Sequence, residues 1–144
     1  MERLEALCAR SEHCEYELRT KLRAWMIGPD DAETIIGSLR KRRFVDDRRF
    51  SEAFVRDKYR FARWGRRKIE MALRVKRVDN DIITVALDGI DHTDYIEGLR
   101  HIVSHKAATM EGAATYEGRT RLFRFAVARG FEPEEVAKII REVL

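Results

Sequence analysis

Apolar residues recur along this chain at the three- and four-residue spacing of amphipathic helices, and the arrangement occurs three times. The segments 17–27, 68–78 and 121–131 each end at a turn and lead into a second apolar-periodic stretch. Each copy is therefore predicted to contain a helix–turn–helix. A longer helix is expected before each of them, at about 2–10, 46–62 and 92–110.

Alignment of the three copies places apolar residues in register. The aligned positions are Leu18, Ile69 and Leu122; Leu22, Leu73 and Ala126; Ile27, Val78 and Phe131; and Ile35, Ile83 and Val136. Few of the aligned residues are identical, so the repeat is one of apolar positions and turn chemistry. No segment alternates apolar and polar residues over the length of a strand.

Local signals mark where these helices begin and end. Pro29 and Pro133 stand at a first helical position, which needs no N–H donor. Asp46 or Asp47 can accept hydrogen bonds from the first turn of the central long helix. Gly65 is expected to allow a sharp turn of the chain between the central long helix and the helix that follows. These features predict an all-α fold, an elongated, curved array of three tandem three-helix repeats at residues 1–44, 45–91 (the basic repeat) and 92–144.

The composition of the chain predicts its cellular compartment and the redox state of its cysteines. The 144 residues are 44% hydrophobic and 38% charged, and no apolar stretch approaches the roughly 20 residues that span a bilayer. The N-terminal residues have no apolar signal-peptide core, so we expect a cytoplasmic protein without membrane contact. Cys8 and Cys14 are then expected to be free thiols, and the chain is expected to be a monomer.

Positive charge is concentrated in the middle of the chain. Residues 40–77 contain sixteen Lys and Arg but five Asp and Glu, a net charge of +11, against −7 for the rest. Such segregation attracts polyanions, whereas evenly mixed charges mainly favour solubility. A run of charge can also be a solvated helix face. Here the excess is confined to one repeat, and aligned arginines repel one another, which favours binding of a polyanion or an acidic partner.

Helical geometry assigns these charges to faces. On the central long helix Arg49, Arg56 and Arg60 form one stripe, which Arg63 joins if the helix reaches it, giving a width of about 60°. Phe50, Phe54 and Phe61 form a separate stripe expected to face the core. The predicted binding residues are Arg49, Arg56, Arg60 and Arg63 on this helix, and Arg66, Arg67, Lys68, Arg74, Lys76 and Arg77 on the next. No side chain has a base-reading pattern, so sequence-specific recognition is not expected.

Other candidate chemistry is weak. Trp64 could stack on a base, although a Trp beside a turn glycine is more often a packing anchor. His101 and His105 have the i,i+4 spacing of metal ligands but lack a third ligand in a suitable pattern. His13 and Cys14 lack an orienting third group, and no glycine-rich phosphate loop is present. We therefore expect no catalytic residues, no metal and no cofactor.

Several motifs, in their order and spacing along the chain, resemble those of the RecX family. Residues 44–54 (FVDDRRFSEAF) and 64–69 (WGRRKI) are the most specific, and 15–22 and 129–131 (RGF) also fit. We assign structural roles to the motif residues Asp46, Asp47, Phe50, Phe54, Trp64, Gly65 and Gly130. Arg43, Ser51 and Ala126 depart from the pattern, which more commonly has Gly, Ala and Leu there.

This resemblance implies three tandem three-helix repeats in a non-catalytic protein. It also implies a partner, the RecA–single-stranded DNA filament, in whose groove such a protein docks and limits filament growth or activity during homologous recombination, DNA repair and the SOS response. Direct binding of single- or double-stranded DNA is a further implication. The alternative from the residues alone is a helical DNA-binding or architectural protein that acts without RecA.

Overall fold

The computed structural model describes residues 1–144, which form nine α-helices and no β-strand. The helices are α1 (Glu2–Arg10), α2 (Glu15–Ala24), α3 (Pro29–Lys41), α4 (Asp47–Arg60), α5 (Arg66–Val75), α6 (Asn80–Asp88), α7 (His92–Ala108), α8 (Tyr116–Ala128) and α9 (Pro133–Val143). The predicted all-α fold is confirmed. None of these helices combines the length and the apolar character that crossing a bilayer requires.

The chain divides into two compact units. Unit 1 contains Met1–Val55 and Ala72–Ala86, and unit 2 contains Arg56–Met71 and Leu87–Leu144. The division falls within α4, α5 and α6.

Unit 1 is built around the apolar faces of its first three helices. Leu4 of α1, Leu18 and Leu22 of α2, and Ile36 and Leu39 of α3 are all buried in one cluster. Within α2 and α3 these residues are four and three positions apart, which brings them to one face of each helix. Burial of each such side chain contributes about 1.5–3 kcal/mol, so this cluster holds α1–α3 together.

The two neighbouring aspartates of the long central helix have different partners. Asp46 caps α4, because its carboxylate accepts hydrogen bonds from the N–H groups of Arg48 (2.9 Å) and Arg49 (3.2 Å). The Asp47 carboxylate instead accepts from the N–H of Glu15 at 2.9 Å, at the beginning of α2. Burial raises the pKa of Asp47, against the lowering effect of this hydrogen bond. Of the two capping candidates, Asp46 is the one that acts on α4.

Three helix–helix turns close with the same hydrogen bond, at positions aligned from the sequence. The N–H groups of the third aligned set donate to the carbonyl oxygens of the second: Ile27 to Leu22 (3.0 Å), Val78 to Leu73 (3.2 Å) and Phe131 to Ala126 (3.3 Å). The residue before each donor has a positive φ: Met26 (64°), Arg77 (56°) and Gly130 (100°). This is the Schellman ending of a helix, in which a left-handed residue satisfies a free carbonyl group.

One aligned set was wrong. Ile83 and Val136 are buried three residues after the beginning of their helices, but Ile35 lies six residues after Pro29 and is only half-buried. The buried residue at the equivalent position of α3 is Ala32. Ala32 was missed because alanine gives a weaker apolar signal than the neighbouring isoleucines.

At two positions of unit 1 where this chain departs from the RecX pattern, the structure explains why the more common residue is favourable. Arg43 has a φ of 62°, a conformation that glycine adopts more readily. Ser51 is fully buried, and its hydroxyl group has no hydrogen-bond partner within the chain. Because a buried hydroxyl without a partner is unfavourable, alanine would fit this site better.

Unit 2 contains the apolar faces of α7, α8 and α9, which pack on one another. Tyr95 and Phe131 are its largest fully buried side chains, and their ring centroids are 5.3 Å apart. The Tyr95 hydroxyl donates to the carboxylate of Glu132 and accepts from the N–H of Arg66 at 3.0 Å. Burial, followed by the hydrogen bond to Glu132, strongly raises the pKa of Tyr95, so this phenol stays protonated. It thereby links α7, the first residue of α5 and the beginning of α9.

Candidate nucleic-acid interface

Main-chain hydrogen bonds fix the basic segment of unit 2, which we define as residues 56–68. The N–H of Gly65 donates to the carbonyl of Arg129 at 2.7 Å, and the N–H of Arg67 donates to the carbonyl of Gly130 at 2.9 Å. Together with the Arg66–Tyr95 hydrogen bond, they occupy three consecutive N–H groups at the beginning of α5. An anion at this segment would therefore be bound by side chains, not by these N–H groups.

Gly65 and Gly130 allow this contact because their backbones approach closely. A Cβ atom on Gly65 would overlap the carbonyl of Gly130, and one on Gly130 would overlap the main chain and Cβ of Lys68. Gly65 lies between α4 and α5, as expected, but it does not have a positive φ. Its role is to leave room for another main-chain segment. The WGRRKI and RGF motifs are thus two sides of one contact.

Four arginines of the basic segment are exposed. Arg56 and Arg60 lie one helical turn apart on α4, Arg63 lies in the α4–α5 loop, and Arg67 lies in the first turn of α5. None of the four forms an ion pair with a carboxylate. We call them the exposed arginine group. Charged groups that are solvated but not neutralised set the local electrostatic potential, so this group would attract a polyanion.

Arg66 was also predicted to bind a partner, but its side chain contacts other residues of the chain. Its guanidinium group lies 4.0 Å from the centroid of the Tyr95 ring and 3.7 Å from a carboxylate oxygen of Glu132. A guanidinium group held over a ring and beside a carboxylate is less available to a partner. The sequence could not identify this because Glu132 is 66 residues away.

Trp64 satisfies neither of the two sequence interpretations completely. The indole ring is half-buried, and the ammonium groups of Lys58 and Lys68 lie 4.8 Å and 4.5 Å from its centroid. Cations at these distances are attracted to the negative face of the ring. The arrangement holds two lysine charges within the basic segment.

The expected core stripe of three phenylalanines is partly wrong. Phe50 is buried in unit 1, where its ring centroid lies 5.7 Å from that of half-buried Phe54. Phe61, in unit 2, is 81% exposed. The α4 helix ends at Arg60, and Arg63 has a φ of 59°, so the helical spacing does not extend to these residues. Arg63 consequently leaves the predicted stripe, although it remains exposed.

The remaining predicted cations belong to unit 1 and are mostly engaged there. Arg49 forms an ion pair with Glu12 at 2.6 Å, and Lys76 forms one with Glu17 at 2.6 Å. The guanidinium group of Arg77 lies 5.4 Å from the centroid of the Tyr16 ring. Arg74 is exposed on α5. Arg49 and Lys76 thus have structural partners that the helical wheel could not show.

A groove in unit 2 contains further cations that the sequence prediction omitted. It has a volume of about 420 Å³, and the residues that line it include Arg63, His101, His105, Lys106, Phe125 and Arg129. A second groove of about 250 Å³ shares Arg63 with it and is also lined by Arg60 and Asp94. Lys106 and Arg129 were missed because each lies outside the basic middle of the chain. The i,i+4 spacing of His101 and His105, with Lys106 beside them, was the signal that marked this helix face.

The two histidines have no further ligand around them. Their ring centroids are 6.1 Å apart, with 18° between the ring planes. No group of three or more His, Cys, Asp or Glu side chains that could hold a metal ion occurs in the chain. Cys8 and Cys14 are free thiols, and burial raises the pKa of Cys14 to about 11.

Comparison with known proteins identifies the family. Residues 46–87 match the family model described as "RecX, second three-helix domain". The chain is 30% identical over 138 residues to the regulatory protein RecX of Herminiimonas arsenicoxydans, covering 96% of this chain and 87% of that protein. The chain belongs to the RecX family.

Other RecX proteins differ in length. The chain is 28% identical over 133 residues to the regulatory protein RecX of Clostridium acetobutylicum, covering 90% of this chain and 61% of that protein. The chain thus spans less than two thirds of the length of several curated relatives. The crystal structure of RecX from Lactobacillus salivarius has the same fold, with a TM-score of 0.86 and 21% identity over 98% of this chain and 92% of that one.

Proposed function

We propose that this RecX-family chain is a non-catalytic regulator that binds the RecA–single-stranded DNA filament in its groove. By binding there, it limits filament growth, ATPase activity and recombinase activity. It would act as a monomer in the cytoplasm, in homologous recombination, DNA repair and the SOS response, and it would need no cofactor.

The observation that carries this proposal is the exposed arginine group within a member of the RecX family. Arg56, Arg60, Arg63 and Arg67 have no carboxylate partner in the chain, so their charge is available to a filament. A filament of protein and DNA offers acidic side chains and phosphates, both of which arginine binds well. The name of the relatives, regulatory protein RecX, supports a regulatory role.

The test is a charge reversal of three arginines of the group, Arg56→Glu, Arg60→Glu and Arg67→Glu together. Inhibition of the DNA-dependent ATPase of RecA should then require at least roughly tenfold more protein, because long-range attraction becomes repulsion. Arg66 is left unchanged because of its contact with Tyr95 and Glu132. Thermal unfolding followed by circular dichroism shows whether the variant retains its fold.

A matched control makes the same charge change elsewhere in unit 2. Arg121, Arg124 and Arg141 are also exposed and belong to α8 and α9. Their replacement by Glu should leave inhibition close to that of the wild type. Equal inhibition by the two triple variants would contradict the proposal.

The alternative, a helical DNA-binding or architectural protein that acts without RecA, is favoured by the same exposed cations. It predicts tight binding of double- and single-stranded DNA by the protein alone, with a steep dependence on salt. Co-sedimentation with DNA in the presence and absence of RecA distinguishes the two functions. Co-sedimentation with double-stranded DNA that requires RecA favours the filament regulator, whereas binding of single strands by the protein alone is compatible with both functions.

A further inference from the structure

The larger groove of unit 2 combines an aromatic ring with positive charge. It lies beside α7, α8 and the α4–α5 loop, and no acidic side chain is among the residues that line it. Phe125 is half-buried in the groove, with the ammonium group of Lys106 5.2 Å from its ring centroid and the guanidinium group of Arg129 5.6 Å from it. Its volume of about 420 Å³ is within the roughly 300–1,000 Å³ typical of small-ligand sites.

The cations of the groove differ in whether other groups of the chain already bind them. Arg129 donates to the carbonyl oxygens of Ala62 (2.9 Å) and Arg63 (3.3 Å), so its guanidinium group mainly secures the α4–α5 loop. Lys106 lies in the last turn of α7, where a cation is favourable, but its charged end is exposed. Lys106 and Arg63 are therefore the side chains available to an anion, and Arg129 adds positive potential.

A half-buried aromatic ring in a groove, with two cations within 6 Å of its centroid, matches the chemistry of a nucleotide. A nucleobase can stack on the ring, and its phosphates can approach the cations. In a double helix the bases are stacked on one another and their faces are not available, so only an unpaired base can enter such a groove. The adjoining groove with Arg60 and Arg63 continues the positive charge beyond one nucleotide, which favours a strand over a free nucleotide.

We propose that this groove is a base-stacking site for single-stranded nucleic acid, in which an unpaired base lies against Phe125 and the adjacent phosphates contact Lys106 and Arg63. The inference rests on the proposed function, since it names the component of the filament that this unit binds. The contact is independent of sequence because every base has a face that can stack.

The test uses the full chain without RecA and measures fluorescence anisotropy of labelled strands. The strands are a short oligothymidylate, an abasic strand of the same length, and a duplex of the same length. Wild-type protein should bind the base-bearing single strand about tenfold more tightly than the abasic strand, because stacking on an aromatic residue contributes at this level. Phe125→Leu should weaken binding of the oligothymidylate about tenfold and reduce its advantage over the abasic strand.

Matched controls exist for both the ring and the charge. Phe123→Leu changes a half-buried phenylalanine of the same helix that does not line the groove, and should leave binding nearly unchanged. Lys106→Gln should reduce the slope of log affinity against log salt by about 0.7, the value for one phosphate contact of a single strand. Lys138→Gln removes an exposed lysine of α9 and should not change this slope.

Three results would overturn the inference: equal affinity of the wild type for base-bearing and abasic strands, equal effects of Phe125→Leu and Phe123→Leu, or displacement of the strand by a stoichiometric amount of free deoxynucleotide. Preferential binding of the duplex would likewise count against a single-strand site. These outcomes are separate from those of the RecA assay. Loss of RecA inhibition in the triple arginine variant can coexist with an inactive groove, and the reverse also holds.

Discussion

The two units of this chain use their arginines and lysines in different ways. In unit 1 five cations are paired with carboxylates. These pairs are Arg19 with Glu15 and Glu33, Arg40 with Glu15, Arg42 with Glu5, Arg49 with Glu12, and Lys76 with Glu17. In unit 2 Arg66 pairs with Glu132, and Arg100 pairs with Glu97 and Glu142. The exposed arginine group has no such partners, and Arg129 donates to main-chain carbonyl groups.

The difference shows where the charge of the chain is available. A cation beside a carboxylate contributes little to the field at a distance, because the two charges cancel. Part of the +11 charge of residues 40–77 is thus neutralised by acids from other parts of unit 1. The basic segment itself contains seven Lys and Arg and one Asp, which is why we place the interface in unit 2.

The largest effect is expected from a substitution that disrupts the main-chain contact between Gly130 and the basic segment. Gly130→Ala places a Cβ against Lys68 at a residue with a φ of 100°. Both the overlap and the backbone strain are unfavourable, so the free energy of unfolding should fall by about 3 kcal/mol or more. Urea denaturation of the variant and the wild type measures this change.

Gly37→Ala is the control for that substitution, in unit 1. Gly37 lies inside α3, and nothing within 4 Å would meet its added Cβ. Alanine favours the helix over glycine, so this variant should be more stable than the wild type by about 0.5–1 kcal/mol. If both substitutions changed stability equally, the contact of Gly130 would not have the role given to it.

A smaller effect should follow removal of a half-buried acid from unit 1. The Glu17 carboxylate accepts from the N–H of Cys14 at 3.1 Å and from the ammonium group of Lys76 at 2.6 Å. Glu17→Ala leaves both donors without this partner and should cost about 1–2 kcal/mol in chemical denaturation. Glu33→Ala removes a carboxylate that is 59% exposed and should cost less than about 0.5 kcal/mol. Equal costs would mean that the partial burial of Glu17 is unimportant.

The smallest effect concerns pH. The guanidinium group of Arg40 forms a bidentate hydrogen bond with the carboxylate of Glu15, at 2.9 Å from Nε to Oε2 and 2.7 Å from Nη2 to Oε1. This bond lowers the pKa of Glu15 below its ordinary value of 4.5, although burial opposes the shift. The ionised form is therefore favoured in the folded chain. Its stabilising contribution is complete above pH 4.5 and is lost as the pH falls through the lowered pKa. Glu15→Gln should be less stable than the wild type at neutral pH, and the difference should shrink in acid. Parallel stability curves for the two proteins would exclude this contribution.

Much of the fold could be predicted because its signals are local. Pro29 and Pro133 begin α3 and α9 as expected, and the long helix predicted at about 46–62 extends from Asp47 to Arg60. The two-residue error at its end is small for a helix boundary. It was nevertheless enough to assign Phe61 to the core and Arg63 to the arginine stripe.

The candidate site was harder to predict because its arrangement depends on residues distant in sequence. Arg49 pairs with an acid 37 residues away, and Lys76 pairs with one 59 residues away. A helical wheel shows only which side chains share a face of one helix. Likewise, the groove brings Lys106 and Phe125 together from two helices, neither of which is unusually basic.

The contact of Gly65 with the α8–α9 turn also orders events during synthesis. A ribosome adds residues from the N-terminus, so residues 56–68 are made well before Arg129 and Gly130, whose carbonyl oxygens receive the N–H groups of Gly65 and Arg67. Until that turn has emerged, the arginines of the segment belong to a chain without its main-chain anchor. The basic segment therefore reaches its final arrangement only after residues that contribute little of its charge have been translated.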